Sequence, residues 1–185
     1  MGLAKHLYLV GYRGSGKTSV ARCLANKLGM PCVDTDAWIE THTGSTIRDY
    51  FANHGESAFR DVESLAIKAL ETEPPHIVSL GGGAVLREGN RQSFQKAGWV
   101  VWLRASAEVL ARRIAGDPTT ADRRPALSKL SGYDEIVQLL EVREPIYHQV
   151  SHFVVETEGK TPENIAEEIL GWIAGKEAPS IATPP

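Results

Sequence analysis

LYLVGYRGSGKT, residues 7–18, joins an apolar run of strand length to a glycine-rich turn that closes on Lys17-Thr18. From Gly11 to Thr18 it fits G-x-x-x-x-G-K-[ST], and it stands where that motif must stand, after a strand and at the start of a helix. The helix is read from Lys17 to Leu28, with Val20, Leu24 and Leu28 recurring at i, i+4 and i+8 and Gly29 as its stop. Each residue type has a physical reason. Glycines let the backbone wrap closely around an anion, and successive N–H groups with the helix N-terminus aim positive partial charge at a β-phosphate. Lys17 is placed to bridge β- and γ-phosphates, and Thr18 offers a hydroxyl to Mg²⁺. The loop implies a bound nucleoside triphosphate. It does not say whether the phosphate is transferred, hydrolysed or sensed.

Outward from this loop, short apolar runs alternate with helical stretches. Strands are predicted at Leu7–Val10, Cys32–Val33, Ile77–Leu80, Val100–Leu103 and Phe153–Val155. Helices are predicted over about Ala37–His42, Ile47–Asn53 and Glu56–Leu70, with a last one that opens on Thr161 as N-cap and Pro162 at its first position. Strands that are apolar on both faces, each followed by a helix, require a parallel sheet covered on both sides. The expectation is an α/β protein, a three-layer, doubly wound, five-stranded parallel sheet. Residues 1–175 are read as a single domain. Gly116–Ser131 (GDPTTADRRPALSKLS) is polar and long for a connection and is expected to form a mobile lid. The proline-rich stretch 176–185 is expected to be disordered.

Composition excludes several classes. With 20 Lys+Arg against 23 Asp+Glu the 185-residue chain carries a net charge of −3, without the basic excess of a general nucleic-acid binder. No run approaches the ~20 apolar residues of a membrane span. Cys23 and Cys32 cannot build a disulfide framework and are expected as small core residues. No signal peptide is read at the N-terminus, so the expected compartment is the cytoplasm, with a monomer as the working state.

Three further features carry chemistry. Asp34-Thr35-Asp36 ends the second strand, where an open parallel sheet places its ligand crevice. One carboxylate can hold Mg²⁺ and the other accept a proton from an attacking hydroxyl, while a plain helix N-cap is the structural alternative. Gly81-Gly82-Gly83 ends the third strand and excludes side chains there, either for close approach of a small ligand or for a tight turn. Arg60 and Arg143 present planar forks suited to a carboxylate or phosphate. By pattern alone they fit surface ion pairs better, and Pro145 is expected to kink the helix that carries Arg143. Trp38, two residues past Asp36, is a candidate pocket edge. Glu108, Arg112 and Arg113 are read as a solvated helix face from which one arginine reaches nucleotide.

Taken together, GYRGSGKT at 11–18, VDTD at 33–36, GESAFRDVE at 55–63, SLGGG at 79–83, RPAL at 124–127 and REPIY at 143–147 resemble the shikimate kinase family in order and spacing, over about Leu7 to Ile173. The resemblance implies a P-loop fold of the nucleoside-monophosphate-kinase kind. It also implies transfer of the ATP γ-phosphate to the 3-hydroxyl of shikimate, with ATP and shikimate as small-molecule partners and Mg²⁺ as cofactor. Asp36, Arg60, Gly82, Gly83 and Arg143 fall on the family's shikimate-binding positions. Arg60 and Arg143 would hold the carboxylate, and Asp36 would bind ring hydroxyls and act as base. Asp34, with Thr18, falls on the Mg²⁺ position. Gly14, Ser15, Gly16, Lys17, Thr18 and Ser19 form the phosphate cradle, and Arg124 falls on the lid arginine that reaches the ATP phosphates. Lys17, Asp36 and Arg124 would carry the transfer. Tyr12-Arg13 departs from the leucine- and methionine-containing loops commoner in the family. Two rivals stand beside this reading. One is a gluconate or other small-metabolite kinase of the same fold, whose chemistry does not require the glycine turn with both arginines. The other is a non-catalytic ligand sensor, which usually needs a DNA-binding domain for which this length leaves no room.

Overall fold

The computed structural model describes residues 3–117 and 132–177. Arg124, Arg123, most of the expected lid and residues 178–185 lie outside the described residues. In chain order the elements are β1 (His6–Val10), α1 (Lys17–Leu28), β2 (Cys32–Asp34), α2 (Thr35–Thr43), α3 (Ile47–Leu70) and β3 (Ile77–Ser79). There follow a 3-10 turn (Ala84–Leu86), α4 (Glu88–Ala97), β4 (Gly98–Arg104), α5 (Ala107–Ala115), α6 (Gly132–Val150), β5 (Phe153–Glu156) and α7 (Pro162–Glu177). The strands form one sheet in the order β2-β3-β1-β4-β5, and every pairing is parallel.

The two-sided burial of this sheet follows from strand alternation. Leu7 and Leu9 of β1 point to one face, where they pack with Val20 and Leu24 of α1 and Ile165 and Ile169 of α7. Tyr8 and Val10 point to the other, against Ile67 and Leu70 of α3, Phe94 of α4 and Tyr147 and Val150 of α6. The middle strands β1 and β3 are buried along their whole length, whereas β2 lies at an edge. Cys32 is on that edge and exposed, and Cys23 is half-buried, so neither is the core residue expected.

Local details match residue chemistry. The gap expected between two helices near residue 54 is a single break at Gly55, where φ of 78° and ψ of 175° interrupt α3, a left-handed φ that favours glycine. Pro145 lies inside α6, which runs continuously from Gly132 to Val150. Pro145 can supply no N–H to the ladder. Thr161 Oγ1 accepts from the Asn164 N–H at 3.3 Å and caps α7, which continues to Glu177, two residues into the expected tail. Among the described residues no helix is long and apolar enough to cross a membrane.

Candidate active site

In an open parallel sheet, ligands bind beyond the strand C-termini at the point where strand order reverses. Here that point lies at β1, which carries the phosphate loop, beside β3, which carries the glycine turn. Two cavities open there. The larger, about 540 Å³, is walled by the phosphate loop, by Asp34 at the end of β2 and by Ser79 at the end of β3. The smaller, about 280 Å³, is lined by Asp36, Arg60, Glu63, the three glycines and Arg143, with Ile47, Phe51, Phe59 and Ile136 as apolar wall. Arg13, Asp36 and Ile47 line both cavities.

On the phosphate-loop side, Gly14, Gly16, Lys17, Thr18 and Ser19 line the larger cavity. Gly16 is the N-cap of α1 in the left-handed conformation, so the first turn of the helix opens directly into it. Lys17 is buried, and its Nζ donates to the carbonyls of Gly11 and Tyr12, both at 2.9 Å. Ser15 behaves differently from the rest of the cradle. Its side chain is buried, and its N–H donates to the Tyr12 carbonyl at 3.2 Å. Asp34 is the helix cap that was the structural alternative, and its second oxygen is turned to the phosphate loop. Its Oδ1 accepts from the Asp36 and Ala37 N–H groups at 3.0 and 3.3 Å as the cap of α2, while its Oδ2 accepts from Thr18 Oγ1 at 2.7 Å. Thr18 Oγ1 also lies 3.4 Å from Ser79 Oγ. These oxygens are the donor set a hard cation prefers, and Mg²⁺ characteristically takes only one or two protein ligands beside waters and phosphates. The residues present fit Mg²⁺.

Arg113 of α5 also reaches this side. Its guanidinium donates to the Gly14 carbonyl at 3.3 Å and to Thr157 Oγ1 and O at 3.0 and 2.8 Å. It thereby ties the phosphate loop to the segment after β5. Glu108, by contrast, accepts from the exposed Tyr133 hydroxyl at 2.8 Å, at the surface as expected.

The smaller cavity is built around the missing side chains of the glycine turn. A Cβ on Gly81 would come within 2.9 Å of both Asp36 Oδ1 and Glu63 Oε1, and one on Gly83 within 2.3 Å of Arg60 Nη1. Such approaches are closer than real Cβ atoms make, so these positions exclude a side chain while Arg60 and the carboxylates keep their places. Thr35 pins the turn from the other side. Its hydroxyl accepts from the Gly81 N–H at 2.9 Å and donates to the Ser79 carbonyl at 3.3 Å.

Arg60 and Arg143 are not surface residues: they are 8% and 5% exposed. Nη1 of Arg60 donates to Glu63 Oε2 at 2.9 Å, and its Nε and Nη2 lie 3.4 and 3.3 Å from Glu56 Oε1. Burial pushes the Glu63 carboxyl above its ordinary range, against the opposing pull of Arg60 first and then of Arg143 and Arg87. Arg143 Nη1 reaches the Gly82 carbonyl at 3.5 Å, and its guanidinium stands over the Tyr12 ring, 5.6 Å from the centroid. Burial pulls the Arg13 guanidinium down, while Tyr12, Glu135 and Asp117 favour its charge.

Of the residues singled out in sequence, Lys17, Thr18, Asp34, Asp36, Arg60, Gly82, Gly83 and Arg143 therefore converge on two adjoining cavities. Trp38 does not edge the pocket; it stacks on His42 at 4.6 Å and packs in the small α2–α3 cluster with Ile39 and Ile47. Glu63, Thr35 and the apolar wall went unread. An acid three residues after Arg60 in a stretch with Phe59, Ala66 and Ile67 was the available signal for Glu63, since a lone carboxylate on a buried helix face needs a cation.

The model of the shikimate kinase family matches residues 13–174. A shikimate kinase of Rhodopirellula baltica is 45% identical over 95% of this chain and 91% of its own length. Among solved structures, the shikimate kinase of Acinetobacter baumannii in complex with shikimate superposes with a TM-score of 0.88 at 33% identity, covering 94% of this chain and 95% of that one. A gluconokinase of Sinorhizobium meliloti, at 20% identity over 95% of each chain, shares the fold with a TM-score of 0.65.

Proposed function

The chain belongs to the shikimate kinase family, and from that membership we infer that it transfers the γ-phosphate of ATP to the 3-hydroxyl of shikimate, giving shikimate 3-phosphate and ADP. The observation that carries the assignment of roles is the shared wall. Asp36 lines both the phosphate-loop cavity and the smaller cavity that holds two buried arginines.

In this reading the triphosphate lies along the phosphate loop, with its β- and γ-phosphates against the N–H groups of Gly14, Gly16, Lys17, Thr18 and Ser19. Lys17 exchanges its contacts with the Gly11 and Tyr12 carbonyls for phosphate oxygens. Thr18 and Asp34 would hold Mg²⁺, which neutralises charge on the phosphates when bound. Shikimate occupies the smaller cavity. Its carboxylate meets Arg60 and Arg143 beside Gly82 and Gly83, and its ring lies along Ile47, Phe51 and Phe59. That arrangement turns a ring hydroxyl toward Asp36 and the γ-phosphate.

Phosphoryl transfer demands little covalent chemistry, so alignment and charge stabilisation carry most of the rate. Asp36 orients the 3-hydroxyl and takes its proton late, because the transition state is loose. Arg124, which falls on the family's phosphate-reaching position, supplies further charge to the phosphates. The enzyme works as a cytoplasmic monomer.

A coupled ADP-release assay with shikimate, with gluconate and without acceptor tests this function. Turnover with shikimate alone is expected. Equal turnover with gluconate, or an ATPase rate indifferent to acceptor, would overturn it.

A further inference from the structure

The glycine turn is held from behind by a group that the reaction itself does not use. Tyr147 of α6 is fully buried, and its hydroxyl donates to the Gly82 carbonyl at 2.6 Å. Arg143, one helical turn earlier on the same face, directs Nη1 at the same oxygen from 3.5 Å. The ring is wedged in the core beneath the turn, against Trp102 at a centroid distance of 5.7 Å. Burial pushes the Tyr147 hydroxyl up to about 12, with Arg143 pulling the other way, so it remains a proton donor throughout the neutral range.

The consequence follows from peptide geometry. In a planar trans peptide the carbonyl and the next N–H point in opposite directions. The described chain has no cis peptide. With the Gly82 carbonyl tied back to Tyr147 in the core, the Gly83 N–H of the same peptide points the opposite way, and Gly83 itself lines the cavity together with Arg60. Glycines at 82 and 83 have little intrinsic preference for this orientation, because they lose more conformational freedom on ordering than any other residue. Something outside the turn has to select it.

We propose that Tyr147 is a positioning residue for the acceptor: its hydroxyl fixes the Gly82–Gly83 peptide so that the Gly83 N–H is preorganised to donate to the shikimate carboxylate between Arg60 and Arg143. The inference rests on the acceptor site proposed above. Tyr147 touches no reacting atom, so its contribution is uniform binding of shikimate and not a lower barrier for transfer.

The test is Tyr147→Phe, which keeps the ring and removes the donor. Shikimate affinity by calorimetry without nucleotide, and KM for shikimate, should worsen roughly 3- to 10-fold, the effect of one neutral hydrogen bond. Turnover at saturation and KM for ATP should stay within about 2-fold of the parent. Val150→Ala, in the same helix and core cluster, should lower Tm while leaving KM for shikimate unchanged. That separates positioning from general loosening. Arg143→Ala reports on the acceptor site itself. If Arg143→Ala weakens shikimate and Tyr147→Phe does not, Tyr147 is structural only and the inference fails. If neither weakens it, the site reading fails first. A measurement on the unaltered protein needs no variant: the Gly83 amide proton resonance should move on adding shikimate and not on adding nucleotide alone. An unmoved Gly83 resonance overturns the inference.

Discussion

Glu63→Gln separates the holding of Arg60 from the chemistry. Glu63 is 1% exposed and accepts from Arg60 Nη1 at 2.9 Å. Among the described residues Arg60 also pairs with Glu56, whose side chain is 61% exposed and whose contacts are 3.3 Å or longer. An exposed pair of that kind contributes about 0–1 kcal/mol. The amide keeps the shape and one acceptor oxygen, but the bond then runs from the guanidinium to a neutral oxygen and loses the ion-pair part of an interaction of about 1.5–3 kcal/mol. Arg60 then spends part of its time turned toward Glu56, and shikimate affinity should fall by about 1–2 kcal/mol, roughly 5- to 30-fold. ATP affinity should not change.

The same variant has a signature in stability against pH. Because burial raises the Glu63 pKa above 4.5, the folded state binds that proton more tightly than the unfolded one. The group's contribution is therefore fully present below about pH 4.5 and is lost as pH rises through the folded pKa. Urea unfolding of parent and variant from pH 4 to pH 8 should show this slope in the parent and not in Glu63→Gln. A variant that binds shikimate within 2-fold of the parent, with the slope intact, would refute the claim that Glu63 holds Arg60.

Asp36→Asn should cut turnover by ~10²–10⁴ while ATP affinity stays near that of the parent; collapse of ATP affinity with turnover preserved would move Asp36 to the metal. Arg60→Ala and Arg143→Ala should each weaken shikimate by about 2–5 kcal/mol, with the double variant losing less than the sum because both serve one carboxylate; additive losses below about 1 kcal/mol in a double-mutant cycle would place them outside the acceptor site. His6 and His152 accept backbone N–H bonds through Nδ1, from His76 and Val100 at 3.0 Å each. Burial is the main cause that lowers both pKa values below 6.5, with His76 adding for His6 and Lys5 and Lys176 for His152. A lowered pKa means stability that is complete above pH 6.5 and lost as pH falls below it. Denaturant unfolding should show that decline in the parent and a flatter profile in a His6→Asn/His152→Asn variant; equal slopes would refute it.

What the sequence determined by itself was whatever is local along the chain. The phosphate loop is legible because eight consecutive residues carry the cradle, the lysine and the hydroxyl. The parallel sheet is legible because Leu7 to Val10 and Ile77 to Leu80 are apolar on both faces. Even the break near residue 54 could be read, since Gly55 sits between two helical periods and adopts a φ open chiefly to glycine. Only the tertiary structure decided the rest. Arg60 and Arg143 lie 83 positions apart, and no spacing rule says that α3 and α6 turn both toward one glycine turn. Pattern assigned them to the surface, because an arginine is usually solvated unless paired, and the pairing partner Glu63 and the tie from Tyr147 to Gly82 exist only once the helices pack. Asp34 was ambiguous between cap and cation ligand because a carboxylate has two oxygens. Folding gives one to the α2 amides and the other to Thr18. A periodicity specifies which face of an element is buried. Which groups meet across that burial is settled by the close packing of distant segments, where a Cβ at Gly83 would lie 2.3 Å from a guanidinium.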